Sequence, residues 1–263
     1  MPSVEFNLSN WNQKYSWEKG GEEWSSPWGG SYMQWLTCIL PRINQYLPVR
    51  SMLEIACGHG RWTEFLINHT DKLIGVDLSP SCIEICNERF SEIDQAKFMV
   101  NDGKSLEMIP DNSIDFVFSF DSLVHVDNDV LDSYISQLPR ILKDGGNCFL
   151  HHSNLGEYSF IYNNINRVPK LHGFLGRIGV VERNTHLRDP LVTFKTVQVL
   201  ANKYELKCVS QEIIPWRTKY HKIDCFTILS KNKSDGLTKI VRNPNFMKEA
   251  CNSKLLSKLY SLQ

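Results

Sequence analysis

Residues 51–60 read Ser51-Met52-Leu53-Glu54-Ile55-Ala56-Cys57-Gly58-His59-Gly60. A short apolar run of this kind fits a strand buried on both faces. It ends in an acid and a turn whose glycines let the backbone bend sharply and approach a ligand closely. The stretch 61–68 then has a helical pattern. The same rhythm repeats downstream. Strands are expected over 72–77, 97–100, 114–120 and 147–152, with helices over 80–90 and 128–142 between them. Ser79 is a candidate N-cap for the first of these helices, and Gly145-Gly146 a stop for the second. A helix over 191–203 and two closing strands, 205–214 and 222–229, complete the pattern. Strands alternating with helices imply a mainly parallel sheet covered on both faces. Ligands then bind at the carboxyl ends of the strands, near the point where strand order reverses.

Outside this core the chain changes character. Residues 1–50 form an aromatic arm carrying Trp11, Trp17, Trp24, Trp28 and Trp35, with a helix expected over 31–46. These rings suit either a lid or a small satellite core, and most are expected to do the latter. Residues 153–190 are polar and Asn-rich, and read as a long loop of the functional kind. Residues 231–263 read as a polar linker and a final helix over 245–260. The expected units are therefore the arm (1–50), a catalytic domain (51–230) with its insertion (153–190), and a C-terminal extension (231–263).

Composition narrows the function. The chain has 263 residues, with 29 Lys plus Arg against 29 Asp plus Glu. A zero net charge without a basic stripe argues against nucleic acid as partner. No apolar run is long enough to span a bilayer, and no signal peptide is expected. The eight cysteines include no C-x-x-C pair, so buried, reduced thiols and a cytoplasmic location are expected.

Four signals end successive strands: the 54–60 turn, Asp77 after Leu73-Ile74-Gly75-Val76, Asn101-Asp102-Gly103, and Phe120-Asp121 before Ser122-Leu123-Val124-His125. In this order they resemble class I S-adenosylmethionine-dependent methyltransferases, over about residues 51–152. The resemblance implies a Rossmann-like, mainly parallel seven-stranded sheet. It implies that Glu54, Ala56, Cys57, Gly58 and Gly60 surround the methionine part of S-adenosyl-L-methionine, with Ala56 replacing the family's first glycine. Asp77, with Leu78, takes the ribose position, Asp102 and Gly103 the adenine position, and Phe120 and Asp121 border the methionine moiety. The product is S-adenosyl-L-homocysteine. A nicotinamide enzyme would place a third glycine where Thr63 stands, and its loop serves a pyrophosphate.

A hydroxyl acceptor benefits from a general base, and histidine titrates in the right range. The candidates are His125, after the fourth strand, and His151 and His152, at the end of the fifth. Neighbours on a strand point to opposite faces, so one of the pair is expected to face the cleft. His186 and Arg188, at the end of the insertion, suit an anionic or polyhydroxylated acceptor. Magnesium would draw on Asp121 and Asn154, but no acidic pair ends a strand, and no metal is expected. His151-His152-Ser153-Asn154, Ser210-Gln211-Glu212, Ile223-Asp224-Cys225-Phe226 and Arg242-Asn243-Pro244 with Phe246-Met247 resemble bacterial methyltransferases associated with glycosyltransferases. That resemblance implies O-methylation of a sugar hydroxyl on a glycan or small molecule. The alternatives are N-methylation of a small amine and a non-catalytic cofactor-binding protein.

Overall fold

The computed structural model describes residues 2–218, 220–232 and 236–260. Its sheet has the order β3-β2-β1-β4-β5-β7-β6-β8. The strands are β1 (Val49–Ile55), β2 (Thr70–Asp77), β3 (Ala96–Val100) and β4 (Ile114–Ser119), then β5 (Leu142–Ser153), β6 (Lys207–Ile214), β7 (Asp224–Ser230) and β8 (Lys239–Arg242). Only β7 runs antiparallel to its neighbours, β5 and β6. Helices Pro80–Arg89, Asn128–Ile141 and Phe194–Lys203 connect strands. Ser79, Asp127 and Thr193 cap them, each accepting a backbone N–H of the first turn. This is the expected Rossmann-like α/β fold. Chain order reverses between β1 and β4, so the loops after those strands face one crevice.

Three details differ from the sequence reading. The sheet has eight strands, because β8 lies in the segment read as a linker and pairs in parallel with β6. Its Lys-Ile-Val-Arg sequence is exposed at all four positions, as befits a short edge strand with charged ends, so no burial pattern marked it. Next, Gly145-Gly146 does not stop a helix. The helix ends at Ile141, and the glycines fill an irregularity in which Ile114 faces Leu142 while Phe116 already faces Asn147. Third, the insertion is not a plain loop: it holds helices Ser159–Ile165 and Pro169–Arg177.

The two ends of the chain pack together on the sheet. Helical turns run from Ser31 to Tyr46, with a wider stretch over Trp35–Ile39 just before Pro41. The C-terminal helix Phe246–Tyr260 lies against them, and Trp28, Trp35, Phe246 and Ala250 are buried in the same core as Phe116 and Phe149 of the sheet. Arg42 pairs with Glu212 of β6 through Nε at 2.7 Å and Nη2 at 2.7 Å, and with Glu249 of the last helix at 3.3 Å. No helix among the described residues is long and apolar enough to cross a membrane.

Breaking a largely desolvated pair strands the remaining charge. Arg42→Met is expected to lower unfolding free energy by about 2–4 kcal/mol. Urea titration followed by fluorescence measures this; a loss below experimental error would show that the pair does not fasten the two ends to the sheet.

Candidate active site

The turn after β1 is held from below by β2. Ala56 N and Cys57 N both donate to the Val76 carbonyl, at 2.7 and 3.2 Å. Asp77 then accepts Gly58 N with one carboxylate oxygen at 2.8 Å and Ser79 N with the other at 2.9 Å. One side chain thus joins two strand–helix turns. Burial raises the Asp77 pKa, and the backbone N–H groups of Ser79, Gly58 and Leu78 oppose that rise. Ala56 sits at φ 60°, a left-handed conformation that costs alanine more than the glycine it replaces.

A cavity opens above this turn, walled by Ala56, Cys57, Gly58, Asp77 and Leu78 together with Gly103, Phe120 and Asp121. Glu54, Gly60 and Asp102 are not part of this lining. Glu54 is buried and accepts the Thr63 hydroxyl at 2.5 Å; burial carries its pKa to about 8, with Thr63 lowering it. Gly60 faces the other way, where an added Cβ would stand 2.4 Å from the Phe90 ring. The Asp102 carboxylate accepts Lys104 N at 3.0 Å and Ser105 N at 2.6 Å, and so shapes its own turn.

The far wall comes from residues with no such motif. Val4, Asn7, Trp11, Trp17 and Trp24 of the arm line the cavity. Trp17 stacks on His59 with centroids 4.3 Å apart, and its ring approaches within 3.1 Å of where a Gly58 Cβ would be. Three of the five arm tryptophans therefore face the cavity, while Trp28 and Trp35 belong to the core. Sequence reasoning also missed Arg61. Its guanidinium, directly after the glycine turn, donates to Asp121 at 3.1 Å and to Ser25 at 3.0 Å, between the Trp24 and Trp62 rings. The only hint was a cation adjoining the turn.

A second cavity shares Trp11, Trp24, Asp121 and His125 with the first. Tyr15, Trp216, Glu182, His186, Arg188 and Arg217 also line it. His125 is thus the histidine at the junction. Its Nδ1 lies 3.1 Å from the Leu187 carbonyl, which can only accept, so Nδ1 carries the proton and Nε2 the lone pair. Burial, reinforced by the Arg188 charge, pushes its pKa down to about 4.

His151 and His152 line neither cavity and so stand apart from His125. His151 is enclosed by Phe120, Trp216 and Phe226, with ring centroids 4.9, 5.0 and 4.8 Å away. Its Nδ1 accepts Asp121 N at 3.1 Å, and its Nε2 is 3.4 Å from Asp224, which Arg188 grips with both Nη atoms. Burial raises the Asp224 pKa, but Arg188 and His151 outweigh it and hold the carboxyl below its ordinary value. His152 points to the other face, with Nδ1 2.9 Å from Ser153 O and Nε2 2.7 Å from the Thr227 hydroxyl. Asn154 is spent on backbone contacts, to Lys222 O at 2.7 Å and Phe194 N at 2.8 Å.

Burial also pushes His152 down to about 4, from 6.5 in an unfolded chain. Its neutral ring stabilises the fold fully above 6.5, and that stability is lost as pH falls toward 4, because the unfolded chain binds the proton first. The gap is worth about 3 kcal/mol. Between pH 7 and 4, the wild-type protein is expected to lose that much more stability than His152→Gln, which cannot protonate. Equal pH slopes in urea titrations would contradict the structural role.

Comparisons with known proteins bear on what these cavities hold. Residues 52–146 match the family described as a methyltransferase domain. The sterol 4-C-methyltransferase of Caenorhabditis elegans is 26% identical over 61% of this chain and 45% of its own length. Phosphoethanolamine N-methyltransferase 1 of Triticum aestivum is 32% identical over 43% of this chain and 24% of its own. The chain thus spans less than half the length of these relatives. The PH0226 protein of Pyrococcus horikoshii shares the fold, with a TM-score of 0.56, 20% identity and coverage of 86% of this chain and 98% of that one. The crevice at the reversal of strand order, with its glycine turn braced by Asp77, lies within the residues that match the methyltransferase domain family.

Proposed function

We propose that the protein transfers a methyl group from S-adenosylmethionine in the first cavity to a small acceptor in the second. The observation that carries this reading is the wall common to both, formed by Asp121, His125, Trp11 and Trp24. The donors fit the cofactor's chemistry. Asp77 has a lone pair left on each oxygen for ribose hydroxyls, and the Arg61–Asp121 pair offers a cation and an anion to a zwitterionic amino acid. Leu78 and Gly103 leave an apolar, close-approach slot for a flat base. When bound, the cofactor supplies a methyl group already activated on a sulfonium. The protein's own work is to orient the acceptor, to exclude water with the arm, and to hold the acceptor's proton. Of the three candidate histidines we assign that last task to His125, because it lines both cavities.

The acceptor we favour is a sugar hydroxyl, in glycan or glycosylated-metabolite biosynthesis. The aromatic faces of Trp11, Tyr15, Trp24 and Trp216 suit the apolar faces of a sugar ring, and Asp121, Glu182 and Arg217 suit its hydroxyls. A second reading, N-methylation of a small amine, is favoured by the low His125 pKa, since so weak a base suits an acceptor that needs little help in losing its proton. The cysteines are all unbridged, which supports a reducing cytoplasm.

Asp77→Ala removes an acceptor of both turn N–H groups and of the ribose. S-adenosylhomocysteine affinity, measured by calorimetry, is expected to fall by about 1.5–3 kcal/mol; unchanged affinity in a folded variant would remove Asp77 from the site. Methyl transfer from labelled cofactor to panels of sugars and of small amines identifies the acceptor. For a sugar, turnover should rise with pH through about 4, as His125 loses its proton, and stay level across neutrality. His125→Ala should then lower it roughly 10²–10⁴-fold. For an amine, turnover should instead rise with the amine's own deprotonation, and His125→Ala should cost little. Transfer to neither panel would count against the acceptor classes proposed.

A further inference from the structure

We infer that the helical insertion docks the protein on an anionic lipid surface. Helix Pro169–Arg177 turns Lys170, Leu171, Phe174, Arg177 and the following Ile178 outward, all exposed. At 3.6 residues per turn these five positions fall within roughly a third of the helix circumference. The apolar members are well exposed, Leu171 at 44%, Phe174 at 60% and Ile178 at 41% of full accessibility. The neighbouring helix Ser159–Ile165 packs against this one and exposes Phe160 at 81%. Val168, on the turn between them, is exposed as well.

Charge selects the occupant. From residue 158 to 181 the chain carries Arg167, Lys170 and Arg177 and no acid, in a protein whose formal charge is zero. All three cations are exposed, and none forms an ion pair among the described residues. A protein core would cover the apolar residues but strand the cations. A nucleic acid would pair the cations but leave Leu171 and Ile178 in water. A lipid surface with anionic headgroups offers phosphate and hydrocarbon at adjacent depths, which is what interleaved cations and large apolar side chains require. The face is well placed for such a role, because the insertion continues directly into Glu182, His186 and Arg188 of the second cavity.

The test is co-sedimentation of the full chain with vesicles of phosphatidylcholine containing phosphatidylglycerol, against phosphatidylcholine alone, without cofactor. Binding to the anionic vesicles only, reversed by high salt, is the expected result. Lys170→Gln and Arg177→Gln should each weaken it roughly fivefold, and Phe174→Glu at least about tenfold. Thermal melting and S-adenosylhomocysteine affinity, which these surface positions do not touch, report whether each variant is folded. Folded wild-type protein that ignores anionic vesicles, or binding indifferent to all three substitutions, would overturn the inference. So would a concentration-dependent dimer in sedimentation that Phe174→Glu dissociates, since the face would then belong to a second copy. Because no methyl transfer is measured, failure here leaves the proposed activity untouched.

Discussion

The carboxylate of Asp77 is the constraint from which the rest of the site follows. It spans the turns after β1 and β2, accepting Gly58 N and Ser79 N, and so fixes where each connecting segment leaves the sheet. Both donors are backbone groups that would otherwise lie unpaired in a buried crevice, at a cost comparable to a lost hydrogen bond each. The same carboxyl still faces the first cavity. One residue is therefore committed to structure and exposed to ligand at once, which is why a strand-end acid is informative in a sequence of this pattern.

A second chain of contacts fixes the opposite side of the crevice. Arg188 leaves the insertion and grips Asp224 of β7; Asp224 stands beside His151 of β5; His151 accepts the backbone N–H of Asp121. Asp121 is held at φ 64°, where a non-glycine residue needs support from its surroundings. Arg61 supplies the complementary hold on its side chain. The insertion, which builds the second cavity, is thereby wired to a residue in the wall of the first.

Much of this was legible in the sequence, for a physical reason. The central strands are buried on both faces, so they appear as apolar runs, and the turns that follow need glycine or an acid at fixed places. That made β1 to β5 and the strand-end side of the cavity wall readable, at Ala56, Cys57, Gly58, Asp77, Leu78, Gly103, Phe120 and Asp121. The misses share a cause as well. β8 is an exposed edge and has no burial pattern. The insertion helices bury a single side chain, Tyr162, so no buried stripe marked them. Glu54 commits its carboxylate to Thr63, Asp102 commits its own to the backbone of its turn, and Gly60 turns its open side to the Phe90 ring, partners that a motif does not contain. The histidine pair shows the same limit of a motif. Alternation on β5 does separate His151 from His152, but three aromatic rings close over the one on the cavity side.

The placement of Asp121 and His125 has a consequence for how the two cavities work together. Both residues follow β4 within one short turn, and both line both cavities. A rigid wall shared in this way cannot adjust to one ligand without altering its shape toward the other. Trp11 ties the arm into the same wall, with its ring 5.3 Å from that of His125, while Asn7 donates to the His125 carbonyl at 2.7 Å. The arm that walls the first cavity therefore also holds His125, a residue common to both cavities.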